Sequence, residues 1–177
     1  MESANIELRL DGPAQLFNTL DPFPFRERDL DREAEEFIVG WARELPGKAP
    51  FRIVLHLPEK ECKPETPEQL REALSRYFSY RADMIGRDLK EMFRIGRISL
   101  IIGIAVLALC IAVASFTREA LGASEVSRFI NESIIILGWV VNWRPIEILL
   151  YDWWPLARRR NLYRRLAAAE IVLKPRT

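Results

Sequence analysis

The chain has 177 residues, 29% of them charged and 49% hydrophobic, and a formal net charge of +1. Its length allows one modest domain plus additions, and so balanced a charge argues against a nucleic-acid partner. The mean hydropathy of -0.05 averages a charged first half, a long apolar middle and a basic tail, so the segments have to be read separately.

The opening MESANIELRL has no basic n-region, apolar run or small-residue cleavage site, so no secretory signal is expected and the first half is expected to stay in the cytoplasm. Ile6–Leu10 alternates apolar and polar residues as a half-buried strand does. Leu20–Asp31, LDPFPFRERDLD, packs two prolines and two phenylalanines among alternating acids and bases. It reads as a structured loop that docks Phe23 and Phe25, or as a partner-binding loop built from Asp21, Phe23, Phe25, Arg26, Asp29 and Asp31. The spacing and central glycine of a calcium loop are missing.

Asp31–Leu45 places Ala34, Phe37, Ile38, Trp41 and Leu45 at helical spacing, with acids in the first turns and Asp29 or Asp31 as N-cap. This helix is expected to cover the apolar face of a small sheet, and Pro46-Gly47 to stop it. Phe51–Leu57 alternates again, with Phe51, Ile53, Leu55 and Leu57 on one face and Arg52, Val54 and His56 on the other. His56 is the one histidine in the chain, with no serine or cysteine elbow to serve, and reads as incidental. Lys60–Pro67 is a proline-marked loop.

From Pro67 a long helix begins, with Leu70, Leu74, Tyr77, Met84, Leu89, Met92 and Phe93 on an apolar side, and no proline interrupts it before the apolar segment. Ile98–Phe116 carries no charge. As a helix it rises about 28 Å, close to the hydrocarbon thickness of a bilayer, and reads as a transmembrane span. Arg128–Tyr151 is a second, less clean span. Its ten Ile, Leu and Val residues from Ile134 to Leu150 gain about 0.3–0.6 kcal/mol each, against about 2.5–3.5 for a central arginine and a similar order for a glutamate. Insertion is therefore comfortable only if Arg144 and Glu147 lie off the midplane, pairing at i,i+3 and snorkelling.

Flanking charge sets the orientation. Arg81, Arg87, Lys90, Arg94 and Arg97 precede the first span, and Arg158, Arg159, Arg160, Arg164 and Arg165 follow the second; the connection holds Arg118 and Arg128, offset by Glu119 and Glu125. The positive-inside rule then puts both termini in the cytoplasm. Asn142, Trp143, Arg144, Glu147, Tyr151, Trp153 and Trp154 become an interfacial exit with an aromatic belt, kinked by Pro145. Small residues recur on the first span at Gly96, Ser99, Gly103, Cys110, Ala114 and Thr117, and Gly138 and Asn142 sit one turn apart on the second. Such stripes mark either the hairpin contact or a subunit contact.

Pro155–Ala169 is a basic amphipathic helix whose Arg158, Arg159, Arg160 and Arg164 suit anionic lipid headgroups. Glu170–Lys174 offers a third strand from the far end of the chain. Cys62 and Cys110 lie in dissimilar surroundings and are expected to form no disulfide. No nucleotide or zinc-protease motif occurs, and no catalytic, cofactor or metal residues are assigned.

The stretch LFNTLDPFPFRERDLDREAEEFIVGWARELP, together with GWVVNWRPIEILLYDWWP and the basic tail, resembles small two-span bacterial inner-membrane proteins of unknown function, a resemblance that implies no activity.

The expected fold is an α+β membrane protein: a two-helix transmembrane hairpin carrying a small cytoplasmic α/β domain of about three strands, with helices on one face, formed from both chain ends. Its parts are an α/β segment (1–66), a helix leading into the membrane (67–97), the first span (98–117), an external loop (118–127), the second span (128–151), and a basic helix with the last strand (152–177). The expected function is a non-enzymatic assembly, scaffold or regulatory subunit of the inner membrane, homo-oligomeric or part of a larger complex, with anionic lipids as neighbours. A homo-oligomeric channel or transporter lined by Asn131, Glu132, Asn142, Arg144 and Glu147 is the alternative. A lipid-modifying enzyme using Asp21, Asp29 or Asp31 ranks third.

Overall fold

A computed structural model describes residues 4–18, 29–45, 49–62, 66–121 and 124–176. In chain order the elements are β1 (Ala4–Arg9), α1 (Arg32–Glu44), β2 (Phe51–Pro58), α2 (Thr66–Leu121), α3 (Glu125–Glu147), a π-helical turn (Ile148–Asp152), α4 (Trp153–Ala167) and β3 (Glu170–Arg176). They divide into two compact units: residues 1–85 with 158–177, and residues 86–157.

The first unit is an α/β assembly around a three-stranded sheet in the order β1-β2-β3, with both pairings parallel. Register aligns Ile6, Ile53 and Ile171 in one row and Leu8, Leu55 and Leu173 in the next, so the apolar positions of all three strands share a face. Ile6, Ile53, Leu55 and Leu57 are fully buried there. The opposite face is polar. Glu7 and Arg9 are exposed on it, and cross-strand pairs Arg52–Glu170 at 2.8 Å and His56–Glu7 at 3.1 Å flank the buried Val54. Purely parallel sheets are usually covered on both sides; here the Arg52–Glu170 ion pair and the His56–Glu7 hydrogen-bonding contact occupy the second side.

Parallel strands need a crossover. Between β1 and β2 it is α1, whose N-cap is Asp31: its Oδ1 accepts from the Glu33 amide at 2.9 Å. The expected packing face of α1 is corrected in part. Ile38, Val39 and Ala42 are buried, whereas Phe37 and Trp41 remain nearly half exposed with their ring centroids 6.0 Å apart. A buried set at 38, 39 and 42 is a narrow stripe, and the aromatic pair lies beside it. Leu16, Phe17 and Leu30, unassigned from periodicity, are core residues. The antiparallel bridge Phe17–Leu30 and the Asp31 amide donating to the Leu16 carbonyl at 2.8 Å hold them together. Between β2 and β3 the crossover consists of α2, α3 and α4.

Helix α2 is one unbroken element of 56 residues. Within the first unit it buries Leu70, Leu74, Phe78 and Ala82, four residues apart, with Ala73 beside them, which keeps one stripe inward. Tyr77, expected on that stripe, lies at its edge.

The second unit pairs the apolar part of α2 with α3. Among the described residues two helices are long and apolar enough to cross a membrane: one within Thr66–Glu119, with a mean hydropathy of 2.8 over its most apolar window, and one within Glu125–Ala167, with 1.5. Only 17% and 22% of those windows are buried, unlike the core helix of a water-soluble protein, which its neighbours cover. Pro145 sits inside α3, and the π turn follows it directly. Proline removes a backbone donor and crowds the preceding turn, and an extra residue in the following turn is a recognised way for a helix to continue past such a defect. The Ile148 amide is shared there between the Arg144 and Pro145 carbonyls.

Candidate functional site

Among the described residues of the α/β unit, a dense polar cluster surrounds Glu35, in the first turns of α1. Its side chain is 13% exposed. Tyr77 and Tyr163 each donate a hydroxyl hydrogen bond to the carboxylate at 2.7 Å. Arg81 adds donations from Nε at 3.1 Å and from Nη2 at 3.0 and 3.3 Å. The donors come from α2, one helical turn apart, and from α4, so one carboxylate ties three helices. Arg81 and Arg159 also lie over the Tyr163 ring, at 5.9 and 5.8 Å from its centroid.

Electrostatics follow from this geometry. Burial pushes the Glu35 carboxyl up, but the hydrogen bonds from Tyr163, Tyr77 and Arg81, with the Arg81 charge, outweigh it and hold the group below the usual carboxylate range. Burial and the neighbouring carboxylate push the Tyr77 hydroxyl well up. Arg81 is held charged by Glu35 against its own burial. A cleft of about 520 Å³ opens beside the cluster, lined by Arg32, Arg43, Arg81 and Arg159 with Glu35 and Tyr163. Both Glu35 oxygens accept from donors on α2, and Oε1 also from α4, so the carboxylate acts as a clamp between helices. Among the described residues no three His, Cys, Asp or Glu side chains converge to hold a metal ion.

A second polar arrangement lies within the hairpin unit. Asn142 is 5% exposed, and its Nδ2 donates to the Gly103 carbonyl of α2 at 3.0 Å and to the Gly138 carbonyl at 2.9 Å. Gly103 permits this because a Cβ there would fall 2.5 Å from Asn142 Oδ1; a Cβ on Gly138 would meet Leu107 Cδ1 at 2.7 Å, and one on Gly96 would meet Ile148 Cγ2 at 2.9 Å. Contacts climb α2 as they descend α3, so the helices are antiparallel. The small-residue positions Gly103 and Gly138, left open between hairpin and subunit contacts, thus serve the hairpin; Ser99 is half-buried on α2.

Other sequence-assigned residues separate by face. Arg144 donates to Glu147 Oε2 at 2.9 Å, the expected i,i+3 pair, and also reaches Asp152 Oδ2 at 3.1 Å. Trp143, Tyr151 and Trp154 are exposed, while Trp153 stacks on Trp154 and lies against Phe93, with centroids 6.4 and 6.2 Å apart. Asn131 and Asn142 are buried in the helix seam, whereas Glu132 and Arg144 face outward, so one chain does not bring the proposed channel-lining set to one surface. On α4, Arg158, Arg159 and Arg164 are exposed and Arg160 is half-buried, but the apolar Tyr163 and Leu166 are buried in the α/β unit. Those two side chains are therefore committed to protein packing.

Asp31 is the α1 cap, and the Asp29 carbonyl accepts from the Asn18 amide. Asp21, Phe23, Phe25 and Arg26 lie outside the described residues. Sequence reasoning missed the Glu35 cluster. Its available signal was the pair Tyr77 and Arg81, one turn apart on an otherwise apolar stripe. No family model, curated protein or solved structure matches the chain.

Proposed function

We propose that the chain is a non-enzymatic integral protein of the inner membrane, an assembly, scaffold or regulatory subunit. In this reading α2 and α3 cross the bilayer as a hairpin, and both termini and the α/β unit are cytoplasmic. The observation that carries it is the inward turn of polarity in the second unit. Asn142 is buried and satisfied between the helices, while Ile101, Ile102, Leu109, Phe116, Ile136, Leu137 and Trp139 stand exposed outside. A surface of that kind suits hydrocarbon and is costly in water. The clamped Glu35 supports a presenting rather than a reacting domain, since its carboxylate holds helices together. Arg158, Arg159, Arg160 and Arg164 then supply charge close to anionic headgroups.

Ser127 Oγ and Asn131 Oδ1 are buried without a hydrogen-bond partner, which favours a second reading as a homo-oligomeric channel in which water or a neighbouring subunit satisfies them. Native mass spectrometry of the protein gently extracted from its own membrane separates the two. Co-release with a different protein supports the subunit; a homo-oligomer that conducts ions in vesicles supports the channel. A monomer with neither property sinks both. Topology is read from Cys62, half-exposed in the α/β unit. An impermeant maleimide should label it only after the cytoplasmic side is opened, and labelling of intact spheroplasts would reverse the orientation.

A further inference from the structure

Four cations of α2 share one side of the helix. Arg87, Lys90, Arg94 and Arg97 are spaced by three, four and three residues, so each lies about one turn from the next. They line a groove of about 650 Å³ together with Glu91, Phe93 and Leu149. Arg94 approaches Glu91 at 3.6 Å, and Arg87, Lys90 and Arg97 make no ion pair with a described acid. The groove therefore carries an uncompensated positive charge. Its two apolar members come from the two helical segments of the hairpin unit: Phe93 from α2 and Leu149 from the π turn. The stripe ends at Arg97, immediately before the apolar run that begins at Ile98. Beside it stand the Trp153 ring, packed on Phe93, and the Trp154 ring stacked on Trp153.

We infer that this groove binds the phosphate of an anionic phospholipid, with an acyl chain lying against Leu149 and Phe93. The inference rests on the membrane-spanning reading. Orientation signalling alone requires only that cations be present near a span and places no condition on the face they occupy. Convergence on one face, over a groove with an apolar wall, is what a headgroup site needs: basic pockets between helices at the cytoplasmic surface hold lipid phosphates. The headgroup contact assigned from sequence to the basic tail fits less well, because Tyr163 and Leu166 of α4 are already buried in protein.

Depth makes the site distinguishable from a general anion patch. Along a helix rising about 1.5 Å per residue, Arg94 lies about 5 Å and Arg87 about 15 Å beyond Arg97, and the field of an exposed charge fades over about 8–10 Å in physiological salt. Contributions should fall in the order Arg97, Arg94, Lys90, Arg87.

The test uses full-length protein reconstituted in phosphatidylcholine bilayers containing a minority of phosphatidylglycerol, followed by native mass spectrometry of retained lipid. Retained phosphatidylglycerol should exceed its bulk share and fall about fivefold when Arg94→Gln or Arg97→Gln removes one near cation. Arg87→Gln should have a much smaller effect, and Arg94→Lys should keep most of the retention. The double variant Arg118→Gln/Arg128→Gln, which removes two cations at the other end of the hairpin, should retain lipid as the unaltered protein does. Equal losses in the control variant, equal losses at Arg87 and Arg94, or displacement of the lipid by millimolar inorganic phosphate would each overturn the site. Alkaline carbonate treatment tests the underlying reading separately. Release of the protein from its membrane would remove the spanning hairpin itself, whereas retention without phosphatidylglycerol enrichment would remove only the groove.

Discussion

Glu35 shows how one side chain can decide the assembly of three helices. Its carboxyl is held below the ordinary value of 4.5, so the stabilisation it provides is complete above that value and is lost as pH falls through the lower folded one. Replacing it by glutamine should cost about 2 kcal/mol at neutral pH, because Arg81 and two tyrosine hydroxyls lose a charged acceptor. Thermal melts in detergent from pH 7 down to pH 3 should show the unaltered protein converging on Glu35→Gln at the acid end. A constant gap between the two would remove the carboxylate from the account. Little of this cluster was legible beforehand. The cap could be narrowed to Asp29 or Asp31 because a cap acts on its own chain neighbours, but Glu35 meets partners 42, 46 and 128 positions away. Helical periodicity reports which residues share a face of one helix and is silent on what crosses to another.

Among the elements, the long helices were readable and their fine packing was not. The unbroken α2 follows from the absence of proline across its interior and from the uncharged run Ile98–Phe116. In α1, counting apolar residues favoured Phe37 and Trp41 beside Ile38, yet only Ile38 of these is buried and the smaller Val39 and Ala42 join it in the interior, since neighbouring elements rather than total hydrophobicity select the buried stripe. The small residues of the hairpin were visible as a pattern, and only their contacts revealed the partner. Asn142→Leu should destabilise the hairpin by about 1 kcal/mol, the scale of interhelical hydrogen bonds in lipid. Gly103→Ala should cost more, because its Cβ displaces the Asn142 amide and separates the backbones. Thermal stability in detergent ranks the two, and an unchanged Gly103→Ala protein would deny the close approach.

The π turn was not legible at all, although Pro145 marked the place where the helix would be disturbed. Deleting Leu150, an exposed residue of that turn, should restore ordinary helical pitch and rotate everything after it by about 100° about the axis. Trp153 would then leave its contact with Phe93. The deletion should be far more damaging to thermal stability than Leu150→Ala, and equal effects would show that the extra residue has no part in placing Trp153.

At the scale of the whole molecule, alternation identified three strands and the apolar face of each, but it carries no strand direction. A common apolar face is compatible with parallel or antiparallel pairing, and only the register with β2 in the centre establishes the parallel arrangement. A chain ended before Glu170 should lose the fold of the α/β unit, because β2 would then present an open edge with its backbone groups unpaired. Limited proteolysis should cut such a chain rapidly in 51–58, and resistance equal to that of the intact protein would show that β3 is dispensable.

That dependence gives the chain an order of events during synthesis. When β2 leaves the ribosome, the strand that completes its second edge has not yet been translated, and it follows only after both apolar helices have been made. The sheet therefore cannot close until the hydrophobic hairpin has emerged in full, and a molecule that stalls between the two helices carries an unfinished domain. Completion of the fold becomes a report that the whole hairpin has been delivered.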